Sequence, residues 1–165
     1  MKIYVVGFMG AGKTTYGSRL SKFLRWAFVD LDELVADKSG ISISEVFKEK
    51  GEVGFREIES EVLRSTERYT NTVVATGGGT PCFGDNMEWM NRVGQTVYLK
   101  VSEEELYQRL LFSRAARPLI RDLNDDGLLD FIRDVMSERE GYYLQAQFVV
   151  DPVVTPFGLV RRMRL

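Results

Sequence analysis

The sequence contains no histidine and a single cysteine, Cys82. An internal disulfide and a Cys/His zinc site are thereby excluded, and any general base must be a carboxylate, lysine, tyrosine or cysteine. A dominant charge is missing too: 22 basic residues stand against 24 acidic ones, a net charge of −2, so no global basic field points to nucleic acid. No apolar run is long enough to cross a bilayer, and repeats and low-complexity tracts are absent. The chain opens directly into a strand-like segment without a signal-peptide pattern, which makes the cytoplasm the expected compartment. What is left, 44% hydrophobic and 28% charged residues over 165 positions, is the balance of one globular domain, expected to span residues 1–165.

Against that background one stretch stands out, Gly7-Phe8-Met9-Gly10-Ala11-Gly12-Lys13-Thr14. It follows the apolar run Ile3-Tyr4-Val5-Val6 and precedes a segment with helical spacing. Strand, glycine-rich loop and helix together make a phosphate-binding loop: glycines let successive backbone N–H groups point inward, and the helix N-terminus adds its free donors and positive dipole end. Lys13 can reach the outer phosphates and the Thr14 hydroxyl can ligate Mg²⁺. This context predicts a nucleoside triphosphate site.

The following helix is expected to bury Tyr16, Leu20, Phe23 and Leu24 on one face. Trp26-Ala27-Phe28-Val29 reads as a second strand, ending in Asp30-Leu31-Asp32 at the strand end where ligands of open α/β sheets sit. If that end stays extended, both carboxylates point the same way. Residues 33–70 carry no strand pattern and are expected to form an all-helical insert. Within it Ser42-Ile43-Ser44-Glu45 is a capping box, Gly51 a stop, and Phe55 to Leu63 a second helix. Arg56 and Glu59 lie three apart there, the spacing of a helix-surface ion pair that contributes little by itself.

Thr72-Val73-Val74-Ala75 reads as a buried strand and ends in Thr76-Gly77-Gly78-Gly79. Three glycines at a strand end point to close approach of the backbone to a ligand. A helix over 85–93, a strand over 95–101 and a helix begun by the capping box Ser102 to Glu105 follow. Residues 112–124, with Arg114, Arg117 and Arg121 around Pro118, are too polar for a core and fit a lid that delivers arginine to phosphates. A helix over 127–143, a strand over 147–150 and a short helix capped by Thr155-Pro156 complete the chain. This order argues a parallel α/β sheet with helices on both faces.

Taken in order, these motifs resemble those of the shikimate kinases: the loop from Gly7 to Thr14, Asp30-Leu31-Asp32, Phe55-Arg56-Glu57-Ile58-Glu59, Thr76 to Gly79, Arg117-Pro118-Leu119, and Arg139 followed by Tyr143. The resemblance covers nearly the whole chain. It implies a three-layer P-loop kinase fold with a five-stranded parallel sheet of order 2-3-1-4-5, a helical substrate domain and a lid. The implied activity is transfer of the γ-phosphoryl of ATP to the 3-hydroxyl of shikimate, in chorismate and aromatic amino acid biosynthesis, with Mg²⁺ and a monomeric protein. Gly10, Ala11, Gly12, Lys13, Thr14 and Thr15 would hold the nucleotide. Thr14 and Asp30 would hold the metal, and Arg117 would close over the phosphates. Asp32 would bind the shikimate hydroxyls and orient or deprotonate the attacking one. Arg56 and Arg139 would clamp the carboxylate beside Gly77, Gly78 and Gly79, and residues around Asp151 to Thr155 would lie against adenine.

Two other readings compete. A gluconate kinase would share loop and fold, but Asp32, Arg56, the glycine run and Arg139 together weigh against it. A catalytically silent nucleotide-binding module would lose the lysine, the acceptor aspartate or the clamp arginines, and all are present. A GTPase switch would need an Asn-Lys-x-Asp base-reading motif, which does not occur.

Overall fold

In a computed structural model, the structure describes residues 1–117 and 119–165; Pro118, in the middle of the expected lid, lies outside them. Five strands, β1 (Lys2–Val6), β2 (Ala27–Asp30), β3 (Thr72–Ala75), β4 (Gln95–Leu99) and β5 (Phe148–Val150), form one sheet in the order β2-β3-β1-β4-β5. Every pairing is parallel. The apolar runs of the central strands explain their place: β1 and β3 are buried along their whole length, as a strand covered by helices on both faces must be.

The helices are α1 (Lys13–Leu24), α2 (Leu31–Ser39), α3 (Ile43–Ser65), α4 (Asn86–Val93), α5 (Glu103–Ser113), α6 (Asp125–Tyr143) and α7 (Pro156–Met163). Their starts follow the capping signals. Ser42 accepts from the Glu45 N–H while the Glu45 side chain accepts from the Ser42 N–H, and Ser102 and Thr155 cap α5 and α7. Gly51 breaks α3 into two helical stretches by adopting φ 68° and ψ −175°, the interruption expected there. Between β2 and β3 the described residues form α2, α3 and one 3-10 turn, and no strand.

Three local expectations change. Asp30-Leu31-Asp32 is not extended: Asp30 ends β2 and caps α2, its carboxylate accepting from the Asp32 N–H at 3.0 Å, and Asp32 belongs to the first helical turn. Phe23 is half-exposed rather than core, meeting Phe157 of α7 edge-on at 6.4 Å, while Gly17 takes the sheet-facing place on α1. A Cβ at Gly17 would lie 2.9 Å from the Phe28 ring, so the glycine lets α1 approach β2 closely. The 112–124 segment is not wholly polar surface: Ile120 is fully buried, and Arg114 anchors the segment to the Leu123 carbonyl and the Asp125 carboxylate.

β1 is flanked by β3 on one side and β4 on the other, so chain direction around it places a crevice at its carboxyl end. The phosphate loop leaves β1 at that point.

Candidate active site

The loop turns on glycines. Gly7, Gly10 and Gly12 have φ of 148°, 79° and 92°, and Gly12 is the N-cap of α1. Left-handed backbone at the cap of a helix without a side-chain cap leaves the first N–H groups of α1 facing the loop interior. Lys13 folds back over the loop and donates to the carbonyls of Gly7 and Phe8, both at 2.9 Å. Burial lowers the Lys13 pKa to about 8, with Asp32 pulling it back up and Arg117 pushing it down. Its hydrogen-bond partners are neutral carbonyls, and an incoming polyphosphate adds counter-charge that favours the ammonium. From α5, Arg109 donates to the Gly10 and Ala11 carbonyls at 3.2 and 2.9 Å and fastens the outer rim.

A cavity of about 310 Å³ opens beside this loop. Gly10, Gly12, Lys13, Thr14 and Thr15 line it from one side; Asp30, Asp32, Gly77, Gly78 and Arg117 line it from the others. Ala11 is buried behind the loop. The Thr14 hydroxyl donates to Asp30 Oδ2 at 2.7 Å, so a hydroxyl and a carboxylate stand together at the cavity edge. Hard oxygen donors of this kind, one carboxylate with room for water and phosphate oxygens, suit Mg²⁺. No cluster of three metal-ligating side chains occurs among the described residues. Asp32 faces the same space, and its pKa is raised to about 6 by burial in the cleft and by the neighbouring carboxylates of Asp30 and Glu59, against the pull of Lys13 and Arg56. Arg117 is held by its Nε–H donating to the Ser113 hydroxyl at 3.2 Å.

A second cavity, about 430 Å³, lies on the far side of the glycine run. Arg56, Gly79 and Arg139 line it, together with Cys82, Phe83 and Tyr142. Burial pushes the Cys82 thiol up to about 11, which leaves it protonated and removes it as a candidate base. The three glycines have separate reasons. A Cβ at Gly77 would lie 2.8 Å from Glu59 Oε1 and 3.1 Å from Asp32 Oδ1. At Gly78 it would meet the Met9 N–H group at 3.2 Å and Arg139 Nη1 at 3.6 Å, which puts this residue between the phosphate loop and Arg139. At Gly79 it would fall inside the Arg56 guanidinium. The Tyr143 hydroxyl, fully buried, donates to the Gly78 carbonyl at 2.6 Å and fixes that peptide; burial raises its pKa well above the ordinary value. A third cavity of about 280 Å³ runs from Gly12 and Thr15 past Arg109 to Pro152.

The sequence-predicted site residues therefore gather around two adjoining cavities, with Ala11 just behind. Three contributors were not among them. Glu59 is fully buried, not a surface partner: its Oε2 accepts from Arg56 Nη1 at 2.8 Å and its Oε1 from the Thr80 hydroxyl at 2.6 Å. Its spacing from Arg56 was visible, its burial was not. Arg109 and Tyr143 act through backbone carbonyls far away in sequence, which no local pattern reveals.

The shikimate kinase family matches residues 9–154. The shikimate kinase of Bacteroides thetaiotaomicron is 42% identical over 151 residues, covering 92% of this chain and 86% of that one. Among solved structures, a shikimate kinase from the same organism superposes with a TM-score of 0.95 at 37% identity, over 100% of this chain and 99% of that one. A shikimate kinase from Acinetobacter baumannii, in complex with shikimate, gives 0.85 at 33% identity, over 99% and 90%. Loop, fold and relatives agree: the chain belongs to the shikimate kinase family.

Proposed function

We propose that the protein transfers the γ-phosphoryl group of ATP to the 3-hydroxyl of shikimate, with the donor in the loop cavity and the acceptor in the cavity of Arg56 and Arg139. The observation that carries this reading is the position of Gly78, which lines the loop cavity and lies close to both Met9 of the loop and Arg139 of the other cavity. An anion-binding loop and a pair of guanidinium groups on either side of one peptide suit a polyphosphate and a carboxylate bound a short reach apart.

On this reading the loop N–H groups and Lys13 hold the phosphates, and Arg117 neutralises charge as it builds on the transferring group. The 112–124 segment serves as the lid that carries Arg117, and residues 33–70 serve as the acceptor-binding insert. Thr14 and Asp30 would hold Mg²⁺, which when bound would supply charge neutralisation at the phosphates. Arg56 and Arg139 grip the shikimate carboxylate, a task that suits the planar two-pronged guanidinium. Asp32 accepts a hydrogen bond from the attacking hydroxyl and orients it. As the oxygen bonds to phosphorus, the bond to the ADP oxygen breaks and the hydroxyl proton passes to Asp32. A carboxylate with a pKa near 6 is still ionised at neutral pH and is a stronger proton acceptor than an ordinary aspartate. The third cavity, with Arg109 and Pro152, receives the base. Among the described residues no helix is long and apolar enough to cross a membrane; we assign the protein to the cytoplasm and to the monomeric state.

ADP release by the purified protein, measured with Mg²⁺ and ATP in the presence of shikimate or gluconate, tests this function. Release that requires both shikimate and Mg²⁺ is expected. Equal release with gluconate, or without any acceptor, would reject it.

A further inference from the structure

A buried carboxylate is costly unless its oxygens are satisfied, and Glu59, at 0% exposure, has one strong donor on each. Arg56 supplies one and Thr80 the other. Thr80 is itself fully buried, and its single hydroxyl proton is committed to Glu59 because an ionised carboxylate can only accept. Its carbonyl accepts from Asn86 Nδ2 at 2.9 Å. Asn86, also at 0% exposure, accepts on its Oδ1 from the Ser60 hydroxyl at 2.8 Å and from Arg64 Nη1 at 3.0 Å. Ser60 and Arg64 lie on the same helix as Arg56 and Glu59. The chain of bonds thus leaves α3, crosses the segment after the glycine run, and returns to α3 one turn further on.

We propose that Thr80 and Asn86 are positioning residues for acceptor binding: they lock the Glu59 carboxylate, which in turn holds one nitrogen of Arg56 and presents the remainder of its guanidinium to the cavity. The inference rests on the reading of Arg56 as the carboxylate clamp and extends it to residues that touch neither cavity. An arginine side chain has many rotamers, and ordering it at the moment of binding weakens affinity. A fixed Glu59 removes that cost in advance. Without the Thr80 hydroxyl, Glu59 Oε1 is left buried and unpartnered, and the carboxylate turns to share both oxygens with Arg56.

The test compares Thr80→Val, which keeps the shape of the side chain and loses the hydroxyl, with Thr80→Ser, which keeps the hydroxyl. Thr80→Val is expected to raise the shikimate KM about tenfold, the low end of the loss seen when a group that orients a metal-binding side chain is removed, while the ATP KM and kcat change by less than about threefold. Thr80→Ser is expected to restore the wild-type shikimate KM. Asn86→Ala shifts the same constant in the same direction by a smaller factor, and carries the test if Thr80→Val does not fold. In an Arg56→Ala background, adding Thr80→Val should leave shikimate affinity unchanged by calorimetric titration, because the relay acts only through Arg56. A Thr80→Val protein with a lowered Tm and an unaltered shikimate KM would overturn the proposal, as would an equal loss for ATP or a full tenfold loss in the Arg56→Ala background. Unchanged shikimate affinity in Arg56→Ala alone would overturn the clamp itself, and the relay with it.

Discussion

The loop that follows β1 and the pocket that contains Arg56 and Arg139 are built in opposite ways. The loop draws most of its donors from one unbroken stretch, Gly10 to Thr15, shaped by left-handed glycines and the start of α1. The pocket draws Arg56 from α3, Gly79 and Cys82 from the turn after β3, and Arg139 from α6. Its shape rests on long-range contacts: Tyr143 on the Gly78 carbonyl, Thr80 on Glu59, and Asn86 between them and α3. Backbone geometry secures the first region, whereas side-chain packing secures the second. A substitution in the loop should therefore strike the chemistry directly, and one around the pocket should act through the placement of an arginine.

The largest effect is expected from Lys13→Ala. The glycine turns that make the nest remain, but the charge that meets the outer phosphates is gone, and turnover should fall by ~10³-fold with the fold intact. Single-turnover rates and a thermal melt check both halves of that statement. Asp32→Asn comes next, with kcat down by about 100-fold, because an amide can orient the hydroxyl poorly and take no proton. The sign of its pH dependence follows from the raised pKa. When the pH falls far enough for the Asp32 carboxylate to gain a proton it ceases to accept one, so kcat/KM for shikimate falls on the acid side. The Asn variant should lack this acid limb, which a kcat/KM profile from pH 5 to 8 will show.

A smaller and more discriminating effect separates neighbouring glycines. A methyl at Gly79 would displace the Arg56 guanidinium, whereas one at Gly78 would press on the Met9 N–H group of the loop. Overpacking of this kind costs about 1 kcal/mol or more, or at least fivefold. Gly79→Ala should spend it on the shikimate KM and Gly78→Ala chiefly on the ATP KM. Equal shifts in both constants for both variants would erase the boundary between the two regions.

The same contrast explains what could be read before the fold was known. The phosphate loop, the capping box at Ser42, the break at Gly51 and the start of α7 at Pro156 are all local, and each is found where its residues predict, while at Ser102 the side-chain cap forms but Glu105 turns to Arg109 and does not close the box. The five strands follow from apolar runs, although their order came from family resemblance and not from periodicity. Where tertiary contact decides, local reading failed. Asp30 and Asp32 form an N-cap and a helical turn because α2 begins directly at the sheet edge, with Leu31 fully buried. Glu59 looked like one more surface partner for Arg56, and only the approach of Thr80 turns it into a buried anchor. Ile120 is hidden in a segment whose composition read as too polar for a core.

The central claim is that donor and acceptor are held by separate residues on either side of Gly78. Parallel calorimetric titrations of Arg56→Ala and Arg139→Ala with shikimate and with ATP test it most directly. Each variant should lose roughly 10- to 150-fold in shikimate affinity, the scale of a charge-assisted contact of about 1.5–3 kcal/mol, while ATP affinity stays within about twofold. Shikimate affinity equal to that of the unaltered protein in both variants, or a matching loss for ATP, would contradict it.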